Sequence, residues 1–578
     1  MGMKRQEVPA GRARVYDAIV VGSGISGGWA AKELTEKGLE VLLLERGRPM
    51  EHGADYPTEH KGPWELEFRG RGDRAAMERD QPQQSQAGPV HEATRHFFVN
   101  DLENPYTCDE DKPFLWIRGY HLGGRSIMWG RQSYRLGDLD FEANLRDGIE
   151  VDWPVRYADL APWYDYVERF AGLSGRTEGM PQLPDGQFLP PMPFSAAEAR
   201  VKEGIEGAFP DRRMTIGRTA VLTRQHNGRA ACHYCGPCDR GCSVGAYFCS
   251  LSSTLPAALA TGRLTIRTHS IVHGIMYDEE RDVATGARVL DAETGEDLEF
   301  RSRMVFLCAS AFASTQILMM STTPRFPDGL GSSSGALGRY VMDHHFKVGA
   351  SGFVPGLEDR YHYGNRPNGI YLMRFRNVDQ RSRHPDFLRG YGYQGGAGRQ
   401  GWSRGVAEAG IGVELKEQLR RPGPWRMSLT GFGEMLPHAE NRIELDSEST
   451  DAWGLPSLRI TCVMGENELA MRRDMMDAGA EMLEAAGCME VETYDTNYRP
   501  GEGIHEMGTA RMGRDPRTSV LNAHNQLHDV PNVFVTDGAC MTSSACQNPS
   551  LTYMALTARA ADFAVEAARR GEIRLAPG

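Results

Sequence analysis

Residues 16–47 read YDAIVVGSGISGGWAAKELTEKGLEVLLLERG, and the rest of the fold is built around them. The apolar runs Ala18–Val21 and Val41–Leu44 are short and rich in β-branched or aliphatic residues, which predicts two buried parallel strands. Between them, Gly28–Lys37 has the apolar spacing of a helix. Strand, helix and strand in this order predict a βαβ unit, and therefore an α/β fold with a Rossmann-like domain.

The glycines of this unit predict a dinucleotide site. Gly22, Gly24 and Gly27 form a G-x-G-x-x-G pattern between the first strand and the helix, and Glu45 ends the second strand 21 residues after Gly24. In this pattern the first glycine makes a tight turn, the second lets a pyrophosphate approach the backbone, and the third lets helix pack on strand. Glu45 is placed to accept hydrogen bonds from ribose hydroxyls, which favours FAD or NAD over NADP. A glycine-rich turn without a ligand is the alternative.

The composition is that of a globular protein with more than one domain. The chain has 578 residues and a net charge of −12, so we expect no nucleic-acid partner. No run of 18 apolar residues occurs, so no transmembrane segment is expected, and the basic first 15 residues lack the apolar core of a secretory signal. We therefore expect either a cytoplasmic protein or one that a partner carries out already folded.

Farther along the chain, the pattern predicts a second, mainly β region. The polar stretch Arg48–Asn100 predicts a long surface excursion, and Leu264–Phe306 predicts antiparallel strands that end in a buried strand at Met304–Ala309. Alternating residues from about 346 to 462 predict a mainly antiparallel sheet. The predicted helices are Tyr157–Gly172, Ser195–Ala208, Ser310–Met320, Glu466–Ala486 and Ser550–Arg570.

Five of the 11 cysteines lie between residues 232 and 249. Cys232, Cys235, Cys238 and Cys242 have the spacing C-x₂-C-x₂-C-x₃-C of a ferredoxin-type iron–sulfur loop, without the proline that usually follows. Structural zinc is the competing metal, and disulfides or free thiols are the remaining alternatives. Cys249 is interpreted as a core thiol.

Several blocks together resemble the glucose–methanol–choline (GMC) oxidoreductases. They are GSGISG, GGRSIMWG, DWP, HEMGTARMG from His505, VTDGA and QNPSLT, and they occur in the family's order over nearly the whole chain. The resemblance implies a discontinuous FAD-binding domain over residues 14–150, 215–345 and 495–575, and a substrate domain over 151–214 and 346–494. It also implies oxidation of an alcohol.

The resemblance implies a catalytic pair. His505 would be the base that takes the hydroxyl proton while hydride leaves for flavin N5, and Asn548 would hydrogen-bond the same substrate oxygen. The chemistry agrees with this assignment. Imidazole is the side chain that titrates near working pH, so its neutral form can accept the hydroxyl proton, and removal of that proton assists the departure of the hydride from carbon. A structural role for His505 is the alternative. In Asp343–His345, adjacent histidines on a strand would face opposite ways and could not share one ion, so Asp343 is interpreted as orienting a neighbour.

The family's flavin contacts can be carried onto further positions. The resemblance implies that the block from Gly123 to Gly130 runs beside the flavin and that the final helix begins near it. Some relatives carry a histidine bonded to the flavin in this block, whereas this chain has Met128 there, so non-covalent FAD is expected. The residues implied are Gly124, Ser126, Trp129, Asp537, Gly538 and Pro549.

The cysteine loop resembles that of FAD subunits of bacterial sugar dehydrogenases in this family. Those subunits hold a [3Fe–4S] cluster through positions that match Cys232, Cys238 and Cys242, whereas Cys235 is additional and would be a ligand in a [4Fe–4S] cluster. The resemblance favours three irons and implies a dehydrogenase that passes electrons to a cytochrome c or quinone.

The loop is most similar to that of glucoside 3-dehydrogenases, with gluconate 2-dehydrogenases as near neighbours and an oxygen-reducing or choline-like enzyme as the alternative. A sugar or glycoside substrate, a small chaperone-like subunit and a periplasmic location through a signal-bearing partner are therefore expected, with a cytoplasmic location as the alternative.

Overall fold

A computed structural model describes residues 14–401, 410–496 and 498–577. The strands in this part are β1 Val15–Val21, β2 Val41–Leu44, β3 Thr107–Cys108, β4 Leu173–Ser174, β5 Phe188–Leu189, β6 Met214–Ile216, β7 Leu264–Arg267, β8 Ser270–Asp278, β9 Val283–Asp291, β10 Asp297–Leu307, β11 His345–Val354, β12 Ile370–Leu372, β13 Tyr391–Arg399, β14 Trp425–Gly433, β15 Arg442–Thr450, β16 Pro456–Thr461, β17 Met489–Asp495 and β18 Val533–Val535.

The helices in the same residues are α1 Ile25–Glu36, α2 Arg74–Asp80, α3 Asp138–Phe141, α4 Ala143–Asp147, α5 Tyr157–Ala171, α6 Ala196–Ala208, α7 Thr254–Ala260, α8 Ala311–Met320, α9 Gly412–Arg420, α10 Glu466–Ala485 and α11 Ser550–Arg569. The five helices predicted after the first βαβ unit are confirmed, and their ends differ from the prediction by at most one residue. No helix within 14–401, 410–496 or 498–577 combines the length and apolarity needed to cross a membrane.

The first sheet has the strand order β7-β2-β1-β10-β9-β8, with β18 also paired to β10. β1 lies parallel to both β2 and β10, as the predicted βαβ unit requires. The helix α1 begins at Ile25, three residues before the predicted start, because the Gly28 amide already donates to the Gly24 carbonyl at 2.9 Å. The glycine pattern therefore leads directly into the first turn of the helix.

The region 264–306 differs in part from the predicted antiparallel excursion. β8, β9 and the first half of β10 are antiparallel, as predicted. However, β7 pairs parallel with β2 and so extends the parallel part of the sheet. β10 is one unbroken strand: its charged first half pairs with β9, while its apolar second half is buried between β1 and β18. A single strand thus joins the parallel and antiparallel parts.

The second sheet is antiparallel, with the order β17-β11-β14-β13-β12-β6, and confirms the predicted mainly antiparallel region. Side chains of β14 alternate strictly between buried and half-buried, the period expected of a sheet covered on one face. The helix α10 covers that face with Met471, Met475 and Met482, which are fully buried in the same core. The ranges predicted for the two domains stay a prediction.

Candidate active site

A cavity of about 400 Å³ lies where the two sheets approach each other. Its floor is formed by the carboxyl ends of β1, β2 and β10, the position at which open α/β sheets bind their ligands. β13 and β14 contribute Gln394 and Phe432 from the second sheet. Ten residues predicted from the sequence line this one cavity: Gly22, Gly24, Glu45, Gly124, Ser126, Trp129, His505, Asp537, Gly538 and Asn548.

Two predicted residues and the four cysteines do not line the cavity. A Cβ on Gly27 would lie 1.9 Å from the Gly22 carbonyl oxygen, so Gly27 allows the close approach of α1 to the first turn. Pro549 immediately precedes α11 and is its N-cap residue. Gly27 and Pro549 therefore belong to the backbone around the cavity and do not form part of its lining.

The first glycine turn has the geometry that a pyrophosphate requires. Gly22 adopts φ +92°, and a Cβ there would lie 2.5 Å from the Cys308 carbonyl oxygen. Gly24 lines the cavity, and a Cβ built on it would meet no described atom within 4 Å. Open space therefore faces the backbone at the amino end of α1, where a phosphate is stabilised by the helix dipole.

Glu45 is buried at the end of β2 and holds this turn together. Its carboxylate accepts from the amide and the hydroxyl of Ser23 at 3.1 and 2.5 Å, and from the Gly47 amide at 2.9 Å. The Ser23 hydroxyl in turn accepts from the Gly123 amide at 2.8 Å. Burial raises the pKa of Glu45, while these donors oppose the rise. Glu45 thus joins three loops and still borders the cavity.

The block around Gly124 forms a 3₁₀ turn over Gly124–Ile127 beside the glycine turn. The Ser126 hydroxyl donates to the Gly123 carbonyl at 2.5 Å and accepts from the Ser250 amide at 3.1 Å. The Trp129 indole N–H donates to the Phe248 carbonyl at 2.8 Å. These bonds fix the wall of the cavity.

The late block VTDGA contributes a second buried carboxylate. Asp537 accepts from the Ser314 hydroxyl at 2.5 Å and from the Ala539 amide at 3.0 Å, and burial raises its pKa to about 6. Close by, the buried Tyr553 hydroxyl on α11 has no hydrogen-bond partner among the described residues and lines the same cavity.

The residues of the cavity fit FAD. Glu45 would hold the ribose, the backbone at Gly24 would face the pyrophosphate, and Tyr553 has an unused donor for a polar edge. The Gly124–Trp129 wall and Asp537 border the remaining length of the cavity.

His505 lies at the cavity next to a second histidine. The two rings are perpendicular, and Nδ1 of His505 is 2.9 Å from Nδ1 of His344. The Asp343 carboxylate accepts from the amides of both histidines, at 2.8 Å from His344 and 3.1 Å from His505. Burial, His344 and Arg125 hold the pKa of His505 well below its usual range, so the imidazole is neutral.

Asn548 faces the same cavity from the turn before α11. Its side-chain oxygen accepts from the Gln394 amide of β13 at 2.6 Å, which leaves the Asn548 NH₂ group available as a donor. The pair therefore offers one acceptor and one donor to a ligand oxygen. Arg125, which forms a bidentate ion pair with Glu506 at 3.0 and 2.7 Å, borders them.

His345 has a different environment from His344. The two do not alternate on one strand as predicted, because β11 begins only at His345. A Cβ on Gly433 would lie 2.3 Å from the His345 ring, which packs near Met475 of α10. Neither ring nitrogen of His345 has a hydrogen-bond partner among the described residues, and burial lowers its pKa to about 3.

The cysteine loop lies outside the cavity. All four cysteines are free thiols; Cys235 is exposed, whereas Cys232, Cys238 and Cys242 are half-buried. In the part of the chain that the structure describes, no three His, Cys, Asp or Glu side chains are gathered closely enough to hold a metal ion. The predicted cluster ligands therefore stay a prediction. The pairing into disulfides considered as an alternative does not occur in this structure.

Comparison with known proteins identifies the family. A GMC oxidoreductase N-terminal model matches residues 16–345, and a GMC oxidoreductase C-terminal model matches residues 437–557. The chain belongs to the GMC oxidoreductase family.

Two relatives and one solved structure illustrate the relationship. The chain is 30% identical over 562 residues to 2-methyl-1,2-propanediol dehydrogenase of Mycolicibacterium austroafricanum, covering 95% of this chain and 94% of that one. It is 25% identical to the fructose dehydrogenase large subunit of Gluconobacter japonicus, covering 96% and 98%. The fold is similar to that of a formate oxidase from Aspergillus oryzae, with a TM-score of 0.59 at 14% identity and coverage of 97% and 100%.

As a GMC oxidoreductase, the chain is an FAD-dependent enzyme that acts on the CH–OH group of an alcohol or sugar. The architecture predicted from the motifs, a Rossmann-like FAD-binding region with a mainly antiparallel second sheet, is confirmed. The sequence did not single out Gln394 or Tyr553 as site residues, and His344 received only a structural interpretation. Tyr553 directly follows the block QNPSLT on α11, and this position next to a family motif could have indicated it as a site residue. Gln394 belongs to no recognisable motif.

Proposed function

We propose that this enzyme is a dehydrogenase that oxidises a secondary hydroxyl of a sugar or glycoside, with the C3 hydroxyl of glucosides as the preferred position. The observation that carries the proposal is the polarity of the His505–Asn548 pair at the cavity. One side chain accepts a proton and the other donates a hydrogen bond, which are the two interactions that an alcohol oxygen needs.

The chemistry of the pair follows from its hydrogen bonds. His505 would take the hydroxyl proton, and the Asn548 NH₂ group would hold the same oxygen as it becomes a carbonyl. When bound, FAD supplies the acceptor for the hydride that leaves the carbon. The alcohol thereby loses one proton and one hydride and becomes a ketone. A positioned base of this kind contributes roughly 10²–10⁴-fold to the rate.

The lining of the cavity supports a sugar. Trp129 offers an aromatic face, and Gln132 and Gln394 offer amides that can bind several hydroxyl groups. Phe346 and Phe432, which also line the cavity, stack with their ring centres 4.9 Å apart. Aromatic faces with a few placed polar groups are typical of ligand cavities. The similarity to a fructose dehydrogenase subunit agrees with this choice.

We also propose that the cysteine loop holds an iron–sulfur cluster, [3Fe–4S] rather than [4Fe–4S]. Cys232, Cys238 and Cys242 are half-buried, whereas Cys235 is exposed, which favours the three-ligand set. The Tyr234 amide lies 3.4 Å from the Cys232 sulfur, a contact of the kind that tunes cluster potentials. Burial raises the pKa of Cys238 to about 11, so this thiolate needs a bound cation to persist at neutral pH.

One side chain contacts both the cavity and the cysteine loop. Arg131 lines the cavity, and its guanidinium donates to the Cys238 carbonyl at 3.0 Å. This contact supports onward transfer of single electrons from reduced flavin through the loop to a cytochrome c or quinone. The relative from Gluconobacter japonicus is named as a large subunit, which supports a small companion subunit and, with it, export to the periplasm on a signal-bearing partner.

The central test is anaerobic reduction of the purified holoenzyme by methyl glucoside, followed by visible and EPR spectra. We expect flavin bleaching and loss of an oxidised three-iron signal, and product analysis should find the 3-keto glucoside. His505→Ala should keep FAD and lose at least about 100-fold in bleaching rate. Bleaching by gluconate but not by methyl glucoside would replace the proposed substrate, and rapid reoxidation by O₂ alone would contradict the dehydrogenase assignment.

A matched pair of cysteine variants tests the relay. Cys238→Ser should keep substrate-driven bleaching but lose iron and labile sulfide and slow electron transfer to a cytochrome c acceptor. Cys235→Ser should retain the cluster and normal transfer. Loss of the cluster in both variants would favour four ligands, and zinc without sulfide in the purified protein would refute the relay.

A further inference from the structure

The side chain directly behind His505 determines which nitrogen of His505 carries a proton. His344 is fully buried, and its ring stands at 90° to that of His505 with the ring centres 4.9 Å apart. The two rings meet through their Nδ1 atoms at 2.9 Å, a distance that requires one proton between two nitrogens. One of the two histidines must therefore donate to the other.

The direction of this hydrogen bond follows from the other side of the His344 ring. Its Nε2 is 2.9 Å from the Ala545 carbonyl oxygen, and a carbonyl can only accept. Nε2 of His344 therefore carries a hydrogen. Burial lowers the pKa of His344 to about 4, so at neutral pH the ring has a single proton and its Nδ1 is an acceptor.

His505 must then donate from Nδ1. Since His505 is also neutral at this pH, its Nε2 carries no proton and has a free lone pair. His505 lines the cavity, and Nε2 is the ring nitrogen that remains for it. The arrangement thus presents an acceptor, and not a donor, to the alcohol.

We propose that His344 is a positioning residue that holds His505 in the Nδ1–H tautomer, so that Nε2 is the proton acceptor of the reaction. This inference rests on the proposed role of His505 as the base. A histidine base in the other tautomer would present an N–H to the alcohol and could not take its proton.

Hydrogen bonds to the surrounding backbone hold the two histidines in place relative to each other. The Asp343 carboxylate accepts from the amides of His344, Gly501, Gly503 and His505 and from the Tyr498 hydroxyl at 2.7 Å, which ties both histidines to one anchor. Ala545, the acceptor for His344, adopts φ +55° three residues before Asn548. His344 therefore connects the segment that carries His505 to the segment that carries Asn548.

Two substitutions separate the acceptor from the volume of the side chain. In His344→Asn the amide oxygen can take the place of Nδ1 and accept from His505, whereas His344→Leu has comparable bulk and no acceptor. We expect His344→Leu to keep its FAD and lose about 100-fold or more in the rate constant of flavin reduction by methyl glucoside, with its Kd for the glucoside changed less than about threefold. His344→Asn should stay within about tenfold of the unaltered enzyme.

The outcomes distinguish this inference from the proposed function. If His505→Ala loses flavin reduction while His344→Leu reduces normally, His344 only fills space and the inference is wrong. Equal losses in His344→Leu and His344→Asn also overturn it. Normal reduction by His505→Ala would instead refute the base itself.

A second measurement needs neither substrate nor a folded His344 variant. The ¹⁵N spectrum of the histidine-labelled holoenzyme, with the His505 signals identified by their loss in His505→Ala, should contain a protonated Nδ1 and an unprotonated Nε2. The reverse pattern for His505 would contradict the inference.

Discussion

Gly24 and Gly27 belong to one motif but should fail in different ways when each is replaced by alanine. A methyl group on Gly27 would lie 1.9 Å from the carbonyl oxygen and 2.7 Å from the carbonyl carbon of Gly22, both rigid backbone atoms. A methyl group on Gly24 meets no described atom within 4 Å and would project into space that the cavity provides. Gly27→Ala should therefore damage the fold, and Gly24→Ala should damage FAD binding.

The magnitudes follow from these contacts. Overpacking costs about 1–3 kcal/mol, and the better helix propensity of alanine returns about 1 kcal/mol. Because backbone cannot move aside, we expect Gly27→Ala to lose about 2 kcal/mol in the free energy of unfolding. Gly24 has φ −68°, which alanine adopts freely, so that substitution should change the free energy of unfolding by less than about 1 kcal/mol.

The loss of FAD affinity in Gly24→Ala can be worked in the same way. Preventing one hydrogen bond between backbone and a charged phosphate costs about 1.5–3 kcal/mol, which is about 10–150-fold in Kd at about 1.4 kcal/mol per factor of ten. The assay is thermal unfolding of both variants and the unaltered protein, with and without excess FAD, together with the FAD Kd from fluorescence. A Gly24→Ala protein that binds FAD normally would refute the reasoning, as would equal destabilisation of the two variants without FAD.

Two further predictions concern charged and titrating groups of the site. Glu45→Gln replaces one carboxylate oxygen by an NH₂ group, which would face the donor N–H of Ser23 or Gly47. The unsatisfied buried N–H costs about 1–3 kcal/mol, so the melting temperature and the FAD affinity should both fall. An FAD titration that is unchanged from that of the unaltered protein would contradict this prediction. For His505, whose pKa lies well below 6.5 and whose neutral form is the base, the flavin-reduction rate should stay level as pH falls past 6.5 and decline only at lower pH. Stopped-flow reduction across pH 5–9 checks this, and a midpoint above 6.5 would be inconsistent with the lowered pKa of His505.

Much of the site was predictable because its residues lie in short, regular patterns. Gly22, Gly24 and Glu45 follow one another through a single βαβ unit, so local spacing alone predicts that they meet. His505 and Asn548 were assigned through family motifs, and both line the cavity. The ends of the five later helices were predicted to within one residue because caps and apolar periodicity are local signals, whereas α1 begins three residues before its predicted start.

Other features needed contacts between distant segments. The partners of the two assigned residues lie 161 and 154 positions away, His344 for His505 and Gln394 for Asn548. Neither belongs to a pattern that predicts a contact, because a side chain on a strand indicates its face but not what packs against that face. The parallel pairing of β7 with β2 was missed for the same reason: alternation predicts a strand and leaves its neighbour undetermined.

The βαβ unit and its glycine pattern could be predicted from the sequence alone, since both depend on neighbours along the chain. The polarity of the site follows only from contacts between distant segments. The Ala545 carbonyl accepts from His344, and this determines which nitrogen of His505 is free. His344, His505 and Ala545 lie in the β10–β11 connection, the loop before β18 and the turn before α11, and they meet only in the folded protein. A proton's position is a property of the complete hydrogen-bond network, and no local pattern contains it.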